Sequence, residues 1–246
     1  MLLETDCIYE FETEFEDFNE NILLKPYGYQ KLCAQLGDMH LSKIDMNVDT
    51  TMENNLAWAL TTLSIEIVKP VEENITLSGK TWYSGRKGPL FRREYLFTDK
   101  KGDVLFKAFS FSVLLDMVKR TIYRKRELPF IMTEPIEDYT IEANANRKLD
   151  LDFIKVDERK AYNSYIDSLG HVNNCRYGEF AYDTFSEIEV DNLYKLNRMD
   201  IYFRSELIKD DTFSIYKVID GNTMYIRGVN DTKEDTSFDI VFTFKY

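Results

Sequence analysis

The chain has 246 residues, 44% of them hydrophobic and 30% charged, with only 10 Gly and 5 Pro. This is room for one large domain or two small ones, and it excludes collagen-like, mucin-like and disordered classes. With 31 Lys and Arg against 43 Asp and Glu the net charge is −12, which argues against nucleic acid as a partner and leaves any acidic partner only a local basic patch to dock on.

In chain order, a short N-terminal strand leads to a polar turn around Asp17 and then to a first helix. That helix starts near Leu24 to Pro26, where Pro is tolerated in a first turn, and runs through Tyr29, Leu32, Cys33 and Leu36 to an expected end at Gly37. The turn from Asp99 to Gly102 separates strand-like runs, and Phe109, Phe111 and Val113 alternate as in an antiparallel strand with one buried face. Residues 118 to about 148, with Pro129, Pro135 and a polar stretch around Asn144 and Asn146, form the expected connector.

The second half repeats the plan. A polar turn at Asp167 precedes a helix capped by Asn173 or Asn174, whose buried stripe is Tyr177, Phe180, Ala181, Thr184, Phe185 and Ile188. A turn at Asp231 to Glu234 leads into the alternating strand Phe238, Ile240, Phe242, Phe244 and Tyr246. Sliding the sequence on itself supports the repeat. An offset of 150 superposes Asp17 on Asp167, Ile22 on Val172, Tyr27 on Tyr177 and Gly28 on Gly178, and an offset of 132 superposes Asp99, Lys101, Asp103 and Phe106 on Asp231, Lys233, Asp235 and Phe238. Composition and pattern leave several α+β folds open at this point.

Three cysteines (Cys7, Cys33, Cys175) and two histidines (His40, His171) are too few and too scattered for a disulfide framework, a redox pair or a zinc ribbon, so no metal is expected. Glu4, Asp6 and Glu10 spoil a signal peptide, and no apolar run is long enough for a membrane span, so a cytoplasmic location is expected.

The chemistry concentrates at residues 165 to 180. Asp167, His171, Val172, Asn173 and Asn174 stand before a helix with an aromatic residue, and Glu206 follows in Tyr-Phe-Arg-Ser-Glu. This resembles the acyl-carrier-protein thioesterase family, whose signature is Asp-x-Asn-x-His-Val-Asn-Asn followed by a helix and a more distant Glu. Upstream, Ala57-Trp58-Ala59-Leu60, Ile65-Glu66-Ile67, Lys80-Thr81-Trp82 and Arg92-Arg93-Glu94 resemble the first domain of the same family, so the likeness covers most of the chain.

The resemblance implies an α+β protein of two tandem hot-dog domains, each a curled antiparallel sheet wrapped around one long helix. The first spans 1–140 and includes the connector; the second spans 141–246 and carries the motif. It further implies hydrolysis of fatty acyl thioesters on acyl carrier protein, within fatty acid biosynthesis and lipid metabolism, without a cofactor. Asp167, His171 and Glu206 would be catalytic, with Asn173, Asn174, Trp58 and Trp82 binding substrate. Two hot-dogs in one chain allow a monomer or a homodimer.

Independently of the family, such hydrolysis needs a base to activate water and donors aimed at the developing oxyanion. Unpaired amides at about 173 to 176, at the start of a helix, would supply the donors. Glu206, from a neighbouring strand, would activate water or orient His171. Cys175 reads as a buried, inert thiol rather than a nucleophile.

The sequence departs from the family at Leu169, where an Asn precedes the His by two residues. Losing one positioned donor lowers rates by ~10²-fold. Two alternatives follow, a weakened acyl-thioester-binding protein and an acyl-CoA thioesterase. Finally, Lys119, Arg120, Arg124, Lys125 and Arg126, with Arg86, Lys87, Arg92 and Arg93 upstream, form the expected docking patch for an acidic carrier.

Overall fold

The computed structural model describes residues 8–73, 75–143 and 149–246. Glu4, Asp6, Cys7, Asn144 and Asn146 lie outside them. The first half comprises β1 (Ile8–Glu12), α1 (Pro26–Lys43), α2 (Val48–Glu53), β2 (Leu56–Ile67), β3 (Thr76–Lys87), β4 (Leu90–Thr98) and β5 (Val104–Asp116), with a short β6 (Thr121–Ile122) folded back on β5. The second comprises β7 (Ile154–Lys160), α3 (Asn174–Tyr182), α4 (Glu187–Asp191), β8 (Leu196–Phe203), β9 (Thr212–Asp220), β10 (Thr223–Asn230) and β11 (Asp235–Phe244). Among the described residues no helix is long and apolar enough to cross a membrane.

All strands join one antiparallel sheet. Read outward from its centre, the order is β2, β5, β4, β3, β1 on one side and β8, β11, β10, β9, β7 on the other, so the halves share one topology. β2 pairs with β8 at the centre. Leu63 opposite Ile201 and Ile65 opposite Met199 face the core beneath the helices. On the outer face Ser64 opposes Asp200 and donates to its Oδ1 at 2.5 Å.

Local geometry confirms the repeat but shifts its first register. Asn19 N donates to Leu23 O at 3.0 Å as Asp167 N does to His171 O at 2.9 Å. The N–H of Asn21 meets Asn19 Oδ1 at 3.0 Å as that of Leu169 meets Asp167 Oδ1 at 2.9 Å. Asp167 therefore corresponds to Asn19, Leu169 to Asn21 and His171 to Leu23, and the offset of 150 is two residues too long. In this register Tyr29 matches Tyr177. Each stands edge-on or tilted against a buried Phe, Phe106 at 5.1 Å and Phe238 at 4.8 Å, and each hydroxyl accepts from a backbone N–H, of Val71 or Leu207. Phe106 and Phe238 keep the expected offset of 132. The turns also share a left-handed residue, Ile22 at φ 59° and Gly170 at φ 85°. A β-branched side chain is strained there, and glycine is not.

Both helices differ from expectation. α1 runs on past Gly37, because that glycine is a contact and not a cap: a β-carbon would stand 3.3 Å from the Tyr95 hydroxyl. α3 stops at Tyr182, and Ser186 starts a separate α4, its N–H bonded to the Glu189 carboxylate at 2.6 Å. The predicted stripe thus merges two helices, and Ile188 is 73% exposed. Tyr246 lies beyond β11 and is exposed.

The alternating strands are not one-faced either. Phe109 and Phe111 point away from α1 and are covered by Ile141 of the connector, while Leu149 and Phe153 cover Tyr202, Tyr225 and Val241. Three arginine–carboxylate pairs hold the covering segments down. Arg92 binds Glu94 and reaches Ile141 O at 2.7 Å; Arg198 binds Asp200 and reaches Glu142 O at 3.1 Å; Arg227 binds Asp239 and reaches Leu149 O at 3.1 Å. Glu94, wholly buried, also accepts from Ser84 Oγ, Thr140 N and Thr140 Oγ1. Thr140 and Ile141, at the expected domain boundary, are therefore both fastened to the first half.

Removing a buried charge leaves its partners uncompensated. Glu94→Leu should lower stability by about 3 kcal/mol in urea unfolding and open residues 118–143 to limited proteolysis. Unchanged protection would show that the connector is held by its apolar contacts alone.

Candidate active site

The turn at Asp167 is built by its own side chain, which accepts the N–H of Leu169 and, at 3.5 Å, that of His171. A short bridge from Ile166 to Val172 closes the turn, and one from His171 to Ile208, with Val172 N on Leu207 O, docks it against the loop after β8. Glu206 sits in that loop, not on a strand. The loop is fixed by Arg204 N and Ser205 N on Ser237 O, by Leu207 N on the Tyr177 hydroxyl, and by Lys233 Nζ on Glu206 O. This framework brings His171 Nε2 to 3.2 Å from Glu206 Oε2, with the two side chains 40% and 50% exposed. The two residues singled out in the sequence form a pair in reach of water.

Asn173 caps α3, its Oδ1 accepting Cys175 N at 2.9 Å. Asn173 N itself goes to Tyr165 O, and Arg176 N to Asn173 O. Of the four amides expected to be free, Asn174 N alone lacks an acceptor among the described residues. It stands at the positive end of the α3 dipole, where an oxyanion is favoured. The Asn174 carbonyl is held from the other half by the buried Gln30 Nε2 at 2.6 Å.

Burial pushes the Cys175 thiol up to about 12 and the Cys33 thiol well above its usual range, so neither offers a thiolate near neutral pH.

A groove of about 460 Å³ leads away from this point. Its head is formed by Asp167, Leu169 and Asn173 to Cys175; α1 and α2 line one side, and Trp58, Leu63, Phe91, Arg93 and Ser110 of the sheet the other. The volume suits a drug-sized ligand. His171 and Glu206 stand beside the head and do not line the groove. Leu169, half-exposed, puts an alkyl group at the head where the family has an amide.

Trp58 lines the groove, edge-on to Phe91 at 4.9 Å. Trp82 does not. It lies on the outer face, its indole N–H donating to Asp138 O at 2.9 Å, because residues 80, 82 and 84 of β3 share the face that the connector covers. Arg92 and Arg93 leave the basic patch as well. The first is paired with Glu94, and the second turns inward to His40 Nδ1 at 2.8 Å. Burial first, and then Arg93, hold His40 down at about 4, so the imidazole is neutral. Arg120, Arg124, Lys125 and Arg126 have no carboxylate partner among the described residues, while Lys119 pairs with Asp116 and Arg86 binds the carbonyls of Lys125 and Arg126. Met117 N on Asn55 O ties the patch to the α2 end of the groove. That is the end away from His171: the strand from Leu63 to Leu56 alone spans ~23 Å at ~3.3 Å per residue.

Two units of one topology in one chain, each an antiparallel sheet against one helix, make a double hot-dog fold, and the family match makes it a thioester hydrolase. Family sequence profiles narrow this: the acyl-ACP thioesterase N-terminal domain matches residues 4–127 and the C-terminal domain residues 154–242, so the chain belongs to the acyl-ACP thioesterase family. Among solved structures, an acyl-ACP thioesterase from Bacteroides thetaiotaomicron superposes with a TM-score of 0.85 at 22% identity, covering 99% of this chain and 100% of that one. The 12:0-ACP thioesterase from Umbellularia californica gives 0.80 at 14% identity, covering 97% and 96%. A putative oleoyl thioesterase from Lactobacillus plantarum gives 0.77 at 13% identity with the same coverage, 97% and 96%. At these identities the likeness shows the shared fold. No curated protein matches the sequence significantly.

Because the Cys175 thiol stays protonated and its N–H is the group the cap uses, Cys175→Ala should retain turnover close to the parent's. Loss of turnover with an intact fold would make the thiol a participant.

Proposed function

We propose that the chain hydrolyses fatty acyl thioesters carried by acyl carrier protein, releasing the free acid in the cytoplasm as part of fatty acid synthesis. The observation that carries this reading is the His171–Glu206 pair, 3.2 Å apart and in reach of water, on the turn that leads three residues on to Asn174, which lines the head of the groove. The acyl chain lies in the groove with its carbonyl oxygen on Asn174 N. A water positioned by the pair gives its proton to the pair as its oxygen attacks the carbonyl carbon, and the oxyanion forms against the helix N-terminus. Collapse breaks the C–S bond, and the proton held by the pair goes to the leaving sulfur. Asp167 holds the turn that presents His171. The enclosed pairing of the two hot-dogs lets one chain act as a monomer, and a homodimer is compatible.

His171→Ala and Glu206→Ala should each lower turnover at least about 100-fold, with circular dichroism unchanged. A variant that keeps parent-like turnover loses its assigned role. Leu169 favours a second reading, an acyl-binding protein with weak turnover. In the same assay Leu169→Asn should raise the rate about 10-fold or more under that reading, and a fall from an already high rate would rule it out.

In a chain of net charge −12, the unpaired cations at 120–126 can steer an acidic carrier at long range and so raise its encounter rate; they lie at the groove end away from His171, so the carrier's arm enters at the other end. Reversing Lys119, Arg120, Arg124, Lys125 and Arg126 should impair use of acyl carrier protein far more than use of a small thioester, and added salt should mimic the loss. Equal losses on both substrates would assign the patch to the fold.

A further inference from the structure

The sheet presents its groove-lining side chains in rungs across β2, β5 and β4. Leu63, Ser110 and Arg93 make one rung and Leu60, Ser112 and Phe91 the next, a bulge between Leu60 and Thr62 keeping Leu60 on the face of Leu63, and all six line the groove. The following rung, Trp58 opposite Leu114, is split. Trp58 lines the groove, while Leu114 is wholly buried and does not, and Leu56 beyond it is buried as well. What covers them is the connector. Leu128, Phe130 and Met132 pack on Leu56, Phe91 and Leu114, alternating with exposed Pro129 and Ile131, so every second side chain of an extended segment is laid across the end of the groove. Met132 itself lines the groove, and the Phe130 ring stands 6.3 Å from that of Trp58.

This segment is fastened at its ends and not along its length. Arg86 donates to Lys125 O at 2.9 Å and to Arg126 O at 3.3 Å, and Ile136 N donates to Tyr83 O at 2.9 Å. Residues 128–135 make no hydrogen bond among the described residues, and Pro129 and Pro135 have no N–H to give. Its place rests on apolar contact with the same wall an acyl chain would use, so the segment and a longer chain compete for one surface.

Resting on the thioesterase reading, we propose that residues 128–132 set the longest acyl chain the protein accepts, with Met132 as the stop. The methyl end of the chain halts at Trp58 against Met132. Shortening Met132 opens the wall towards Leu114 and Leu56, the latter two residues beyond Trp58, ~7 Å at ~3.3 Å per residue.

The test is kcat/KM on saturated acyl-N-acetylcysteamines from hexanoyl to hexadecanoyl. The parent should show a length beyond which the value falls. Met132→Ala should raise the value for the first chain past that limit, relative to the preferred one, about 10-fold or more, the worth of one methylene in an apolar pocket. Met132→Trp should move the limit to shorter chains. Ile131→Ala, on the exposed side of the segment, should leave the profile as it is. Opposite shifts in the two Met132 variants separate a stop from a loosened fold, which would lower every rate alike. A parent without a limit in the series, a limit that stays in both Met132 variants, or an equal shift in Ile131→Ala overturns the proposal. If no thioester is hydrolysed, the thioesterase reading fails, and calorimetric titration of the free acids of the same lengths decides the length limit. The acid bound most tightly should then be longer in Met132→Ala than in the parent, and an unaltered order or no binding overturns the proposal.

Discussion

The antiparallel pairing of β2 with β8 is the constraint on which the rest depends. It joins two five-strand units edge to edge, and each removes the other's open strand edge, which alone would invite pairing with another chain. It also lays α1 across α3, so that Gln30 of the first half bonds Asn174 of the second. The Asp167–His171 turn and the head of the groove then come from the second half and the groove's long walls from the first, so neither half holds the whole groove.

The shared topology makes the asymmetry informative. The turn that carries Asp167 and His171 in the second half carries Asn19 and Leu23 in the first, and Lys25 and Pro26 stand where Asn173 and Asn174 cap α3. Proline has no N–H to offer an oxyanion, and leucine cannot move a proton. Lys31 is drawn into the acidic cluster of Glu14 and Asp17, filling the first turn with an ion pair. One of the two symmetry-related positions thus has groups able to move a proton and face an oxyanion, and the other has none. The outer face is treated alike in both halves, with a buried carboxylate, an arginine and a connector carbonyl in series.

How much was legible in the sequence follows from the range of the interactions. The Asp167–His171 turn, the Asn173 cap and the spacing to Glu206 are local or carried by the family motif, and the structure brings all of them together. The alternation of Phe109 and Phe111 showed a strand but not which face meets the helix, because a connector that covers the outer face makes both faces apolar. Gly37 looks like a helix end in one dimension; only the Tyr95 hydroxyl pressing on it explains a glycine inside α1. A helix ended at Gly37 leaves out Asp38, which lines the groove, and His40, which meets Arg93. Trp82 resembles a lining residue in the sequence because its partner, Asp138 O, lies 56 positions away.

The central claim, that the second half activates water while the first half holds the acyl chain, is tested most directly by a crystal structure with a non-hydrolysable acyl thioester analogue. The account predicts the carbonyl oxygen on Asn174 N, His171 and Glu206 beside the carbonyl carbon, and the chain running between α1 and the sheet past Arg93 towards Trp58. An acyl chain lodged beneath α3 in the second half, or a carbonyl away from the α3 N-terminus, would contradict it.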